Sequence, residues 1–205
     1  VWVTLILCAI LYLFRGELSR KRVTRALVVV CIVRLVSDAV SWALDGVPGA
    51  VCGAIATVSN YVTFVSNDLV SIAFSVFIWG LVKRGDEKPG LVLKAYWALE
   101  AVAICALTLN VPFGWFYTID AANEYVRGDC YRLTHVAPIA ALLVVLWLLL
   151  KYRNRLGRNQ MVMGWSYLVG MAAATAYEFT SFGLSLQAYA QTFSALMALF
   201  VDEID

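Results

Sequence analysis

Apolar residues in this 205-residue chain come in long runs broken by short polar stretches, not in the narrow stripes of a soluble helix. A helix that crosses a bilayer needs about 20 predominantly apolar residues. Seven runs approach or meet that length: 1–14, 24–44, 50–82, 89–109, 133–150, 160–182 and 185–201. The first is short and reads as truncated at its start. The third is long for one crossing and short for two with a turn; it holds no proline, which predicts one tilted helix that protrudes from the bilayer. Asp45, Gly46, Val47, Pro48 and Gly49 form a strong turn signal ahead of it.

The basic residues fall between the runs. Thirteen of the sixteen Lys and Arg sit in three clusters, at 15–25, 83–94 and 151–158. Only Arg34, Arg127 and Arg132 lie elsewhere. Lys and Arg collect in cytoplasmic loops of membrane proteins, and the three clusters occupy alternate loops. The pattern predicts an all-α, polytopic transmembrane bundle of seven helices, with the N-terminus outside and the C-terminus in the cytoplasm. The longest connection, 110–132, is then external. It is rich in aromatics and carries both signs of charge, with Trp115, Phe116 and Tyr117 suited to a headgroup layer.

Composition narrows the class further. The chain is 62% hydrophobic and 15% charged, with a mean hydropathy of +0.78. One soluble core could not bury that much apolar surface. No basic stripe with interleaved aromatics argues for nucleic acid. The chain starts within an apolar run and stops as a polar segment begins, so the expectation is one membrane module, residues 1–205, cut from a longer protein.

Ionisable residues within the runs are costly in a bilayer and normally face a bundle interior. By depth from the loops, Arg34, Asp68 and Glu100 fall near one level, with Asp38 one helical turn from Arg34. These four form a predicted intramembrane charge cluster, in which Arg34 should meet the carboxylate of Asp38, Asp68 or Glu100. Further out lie Asp38, Asn60, His135, Glu178, Gln187 and Gln191. With Trp115, Tyr117 and Asp120 from the external loop, they make up the candidate ligand-binding set. A structural clamp, an outward-opening pocket and a proton path all remain open uses of such groups.

Other chemistry is missing. No phosphate-binding loop, dinucleotide fingerprint, zinc-protease motif or nucleophile elbow occurs, and the last run has no lysine for a retinal Schiff base. His135 is the sole histidine and has no metal-site spacing; no metal or cofactor is expected. Four of the five cysteines lie in apolar runs, and a Cys52–Cys130 bridge stays open. The run of small residues from Gly170 to Ala176 favours close helix packing. No internal repeat supports a secondary transporter.

Two stretches carry a resemblance. One holds Ser37, Asp38, Ser41, Trp42, Asp45, Gly46, Pro48 and Gly49; the other holds Asn110, Pro112, Gly114, Tyr117, Asp120, Asn123, Tyr125, Arg127 and Gly128. With the seven-run layout, the chain resembles the N-terminal membrane sensor regions of bacterial signalling proteins. In those, the region precedes a cytoplasmic output domain, often a GGDEF diguanylate cyclase and sometimes a histidine-kinase module. The resemblance implies a multi-pass sensor of the bacterial inner membrane, not itself an enzyme, that relays an external or membrane signal to an output domain after residue 205. Its partners would be the bilayer, an unidentified small-molecule or membrane signal, the output domain in the same chain, and in one arrangement a second copy. A small-solute transporter or substrate-capture protein is the main alternative, and an intramembrane enzyme a weaker one.

Overall fold

The computed structural model describes residues 22–180 and 185–204. The predicted run 1–14 and part of the first basic cluster lie outside the described residues. Within them the chain folds into six α-helices: α1 Arg22–Leu44, α2 Ala50–Val82, α3 Leu91–Phe113, α4 Val136–Lys151, α5 Arg158–Thr180 and α6 Leu186–Ile204. Four segments are long and apolar enough to cross a membrane: α1, α2, α3 and Tyr131–Lys151, which contains α4. Leu186–Val201 is a shorter apolar helix.

The helices close a ring. Each packs on its neighbours in sequence, α6 returns to α1, and α2 also reaches across to α4. α2 is the unbroken 33-residue helix that its proline-free run predicts, about 50 Å long. Among the four segments long and apolar enough to cross a membrane, it holds the most buried stretch and α3 the most peripheral. Polar contacts tie both flanks of α2. The Thr63 hydroxyl donates to Ser37 Oγ on α1 at 2.9 Å, and Trp97 Nε1 on α3 donates to Ser75 Oγ at 3.0 Å.

The apolar core fills the end of the ring that carries the basic loops. Phe74 stacks on Tyr167 with ring centroids 4.0 Å apart, among Ile78, Leu148, Met163 and Leu149. Gly164 sits so close to Leu149 that an added Cβ would meet its side chain at 2.6–2.8 Å. At the same end, Arg155 donates to Glu87 Oε2 at 2.7 Å and to the Val82 carbonyl at 3.1 Å, joining two loops. The Arg155 guanidinium holds the Glu87 carboxyl below the usual carboxylate range.

Helix ends depart from expectation at two places. α3 continues through Pro112 to Phe113, where Gly114 caps it in the left-handed region (φ 64°) with its N–H on the Asn110 carbonyl at 2.8 Å. Pro112 lies in the last turn, so little helix remains for it to disrupt. The connection after α3 also contains an unforeseen β-hairpin, β1 Tyr117–Ile119 with β2 Tyr125–Arg127, followed by a 3₁₀ turn, Tyr131–His135. Cys52 and Cys130 are both free thiols.

Candidate ligand-binding site

The hairpin is built onto the helix ends by side chains of the two stretches singled out above. Asn110, in the last turn of α3, accepts the Phe116 N–H at 2.7 Å and donates to the Tyr117 carbonyl at 3.0 Å. Asp120 Oδ1 accepts the N–H groups of Ala122 and Glu124, both at 2.9 Å, and so shapes the tip. Asn123 takes a left-handed conformation (φ 64°) and donates to the carbonyls of Val47 and Gly49, at 2.7 and 3.0 Å. The Tyr125 N–H donates to Asp45 Oδ1 at 2.8 Å. Stretches 37–49 and 110–128 are therefore one unit, with the α1–α2 turn stitched to the hairpin. Two glycines permit the fit. A Cβ on Gly53 would strike the Asn123 side chain, and one on Gly128 would strike backbone carbonyls of residues 114 and 115.

Tyr117 anchors the hairpin from below. Its ring stacks on Phe64 of α2 (5.0 Å) and on Tyr125 (5.6 Å). Burial pushes the phenols of Tyr117 and Tyr125 up, so both remain neutral.

Beneath this roof lies a cavity of about 370 Å³, within the range of small-molecule sites. Five of the nine candidate residues line it: Asp38, Asn60, His135, Glu178 and Gln187. The other four do not. Trp115 is 46% exposed and stacks on Phe113 at 4.8 Å; Tyr117 supports the roof; Asp120 forms the hairpin tip; Gln191 sits behind the wall. The cavity also takes in residues not foreseen as site residues, including Trp42, Asp45, Thr63, Arg127, Tyr131 and Ser185. The turn and hairpin motifs were the signal for Asp45 and Arg127. Nothing local marked Thr63 or Ser185, which reach the site only through helix packing.

The polar wall is wired to α6. Ser185 donates to Asp38 Oδ1 at 2.8 Å, and the Gln187 N–H donates to Glu178 Oε1 at 2.9 Å. One turn deeper, Arg34 Nη1 donates to Gln191 Oε1, and Gln191 Nε2 donates to Asn67 Oδ1 at 3.1 Å. The expected pairing of Arg34 with a carboxylate is thus corrected. Arg34 is interior, 5% exposed, but no carboxylate lies within ion-pair distance of it among the described residues. The neutral Gln191 takes the position in reach, because α6 packs against α1 at that level.

The expected four-residue charge cluster also divides. Arg34, Asp38 and Asp68 line the cavity, whereas Glu100 does not. Glu100 is fully buried; its carboxyl lies beside the Tyr96 hydroxyl, and no well-aligned hydrogen bond reaches it among the described residues. His135 is 4% exposed and its Nε2 is likewise unpartnered there, with the ring edge-on to Tyr131 at 5.4 Å. No group of three or more metal-ligating side chains occurs among the described residues. The site is a mixed-charge pocket with an imidazole nitrogen that has no partner among the described residues. No protein-family model, curated protein or solved structure matches this chain.

Proposed function

We propose that the chain is the sensor module of a multi-pass membrane protein, which binds a small ligand under the hairpin and passes the event to α6. The hairpin end faces outward and the basic loops face the cytoplasm, in keeping with the distribution of Lys and Arg. Seven crossings, a bacterial inner-membrane location and a cytoplasmic output domain after residue 205 belong to the same proposal. The observation that carries it is the wiring of the cavity. Asp38, Glu178 and Arg34 line the pocket, and each is hydrogen-bonded to α6 or to Ser185 at its start. A ligand that takes over those carboxylates releases Ser185 and the first turn of α6. It shifts the bundle only to the extent that it prefers the rearranged state.

Transport is less well supported. Towards the basic end the bundle is filled by Phe74, Ile78, Leu148, Met163 and Tyr167, each no more than 1% exposed. The pocket has a floor, not a path.

Orientation is tested by placing a single cysteine at position 124 in an otherwise cysteine-free chain. An impermeant maleimide should label it in intact cells; labelling only after lysis overturns the orientation. Signalling is tested in the full-length protein with His135→Ala and Glu178→Gln, at matched membrane abundance. Each should abolish or lock the output. Unchanged output and response in both variants removes the cavity as the signal site.

A further inference from the structure

Resting on that proposal, we infer that the ligand is a single-chain amphipathic amine, its ammonium head among the carboxylates of the cavity and its apolar tail along α3. Three observations converge on this class. The first is a division of the wall. Leu99, Val102, Ala103 and Ala106 follow the i, i+3, i+4, i+7 spacing of one helix face and line the cavity with no polar atom in their side chains. That rail is about 10 Å long. The opposite wall carries Asp38 and Glu178.

The second is where the rail leads. Val102 is 64% exposed, and Leu133 and Val136 across the opening are 59% and 48% exposed, although all three line the cavity. The lip between α3 and the start of α4 is therefore apolar. A water-soluble ligand gains nothing from such a lip. A ligand that partitions into the outer leaflet can slide in sideways with its tail still covered.

The third is charge. Asp38, Asp45 and Glu178 line the cavity together with two guanidiniums. Of those, Arg34 donates to Gln191 and Arg127 lies over the Tyr131 ring at 4.2 Å from its centroid, and both guanidiniums lie near Glu178. The carboxylates outnumber the cations, and Phe64, Phe116 and Tyr125 add aromatic surface that favours an ammonium group. His135 Nε2, without a partner among the described residues, supplies an acceptor beside the head. A cavity of about 370 Å³ holds one such chain.

The test uses the full-length protein in phosphatidylcholine nanodiscs, titrated with n-decylamine, decanoate, decanol and ethylamine. Thermal unfolding and Trp fluorescence are both followed. Decylamine should give a saturable rise in unfolding temperature. Ethylamine should bind at least 100-fold more weakly, for want of the tail. Decanol and decanoate should bind at least tenfold more weakly than decylamine. Two variants attack the two walls. Glu178→Gln with Asp38→Asn should weaken decylamine at least tenfold and spare decanol. Ala106→Phe should block decylamine, and the unliganded unfolding temperature reports whether either variant remains folded. Should the carboxylate variant fail to fold, Ala106→Phe alone decides. Decanoate binding as tightly as decylamine, equal binding of ethylamine, or decylamine binding unaffected by Ala106→Phe overturns the inference. Addition of phosphatidylethanolamine to the discs separates a free amine from a lipid headgroup: competition with decylamine assigns the site to the headgroup and overturns the single-chain ligand. The sensor proposal fails separately, if decylamine binds as expected while output in the full-length protein does not respond.

Discussion

Arg34→Met should lower the unfolding temperature in detergent by on the order of 10 °C, corresponding to about 3 kcal/mol for a chain of this size. The guanidinium is interior and donates to Gln191, whose amide in turn donates to Asn67. Removing it leaves Gln191 Oε1 without its donor in a buried setting. It also leaves Asp38, Asp68 and Glu178 around a cavity with one cation fewer. Methionine matches the length of the stem, so the loss is one of polarity, not of volume. The double variant Arg34→Met with Gln191→Leu should recover part of the loss, because both ends of the hydrogen bond are then apolar. Strictly additive costs for the two substitutions would show that the Arg34–Gln191 bond contributes no coupling.

The difference between a carboxylate and Gln191 as the partner of Arg34 also marks where sequence reasoning reaches its limit. Helix positions were legible because turn signals and basic clusters interrupt the apolar runs. α2 at Ala50–Val82 matches its run at both ends, bounded by the turn at 45–49 and by Lys83 and Arg84. Burial of Arg34 was legible too, since a charge in an apolar run has few other places to go. Its partner was not. Gln191 lies 157 residues away, and only the return of α6 to α1 brings the two together.

The hairpin shows the converse. Tyr117–Ile119 and Tyr125–Arg127 are β-formers flanking a turn rich in Asp and Asn, a signal present in the sequence but outweighed by the surrounding helical pattern. Asp120 and Trp115 were candidates because they are polar or aromatic in the long loop. The hairpin register instead assigns Asp120 to the tip, and Trp115 packs outside the cavity against Phe113. What could not be foreseen for these two residues was direction, because the face each presents is set by the hairpin and not by the local pattern.

Glu100→Gln should act in the opposite sense to Arg34→Met and raise the unfolding temperature, by roughly 5–10 °C. The basis is a cost, not a contact. Glu100 lies at the middle of α3 on its inward stripe with Leu93, Tyr96 and Leu107, and is 0% exposed. No well-aligned hydrogen bond reaches its two carboxyl oxygens among the described residues, and the polar group beside them is the neutral hydroxyl of Tyr96. A carboxylate at mid-bilayer costs about 2.5–3.5 kcal/mol on insertion scales. No cation lies beside Glu100 among the described residues to compensate burial of a charge there. Glutamine keeps the shape, removes the option of charge and can donate to a neighbouring oxygen, so most of that cost should be returned as stability. An acidic group kept at such expense points to use, and the second readout is the output of the full-length protein. A variant that is more stable yet unresponsive would place Glu100 among the groups whose protonation or rearrangement accompanies the signal. A fall in unfolding temperature comparable to that of Arg34→Met would mean that Glu100 has a charged partner after all, and the cost assigned to it would be wrong.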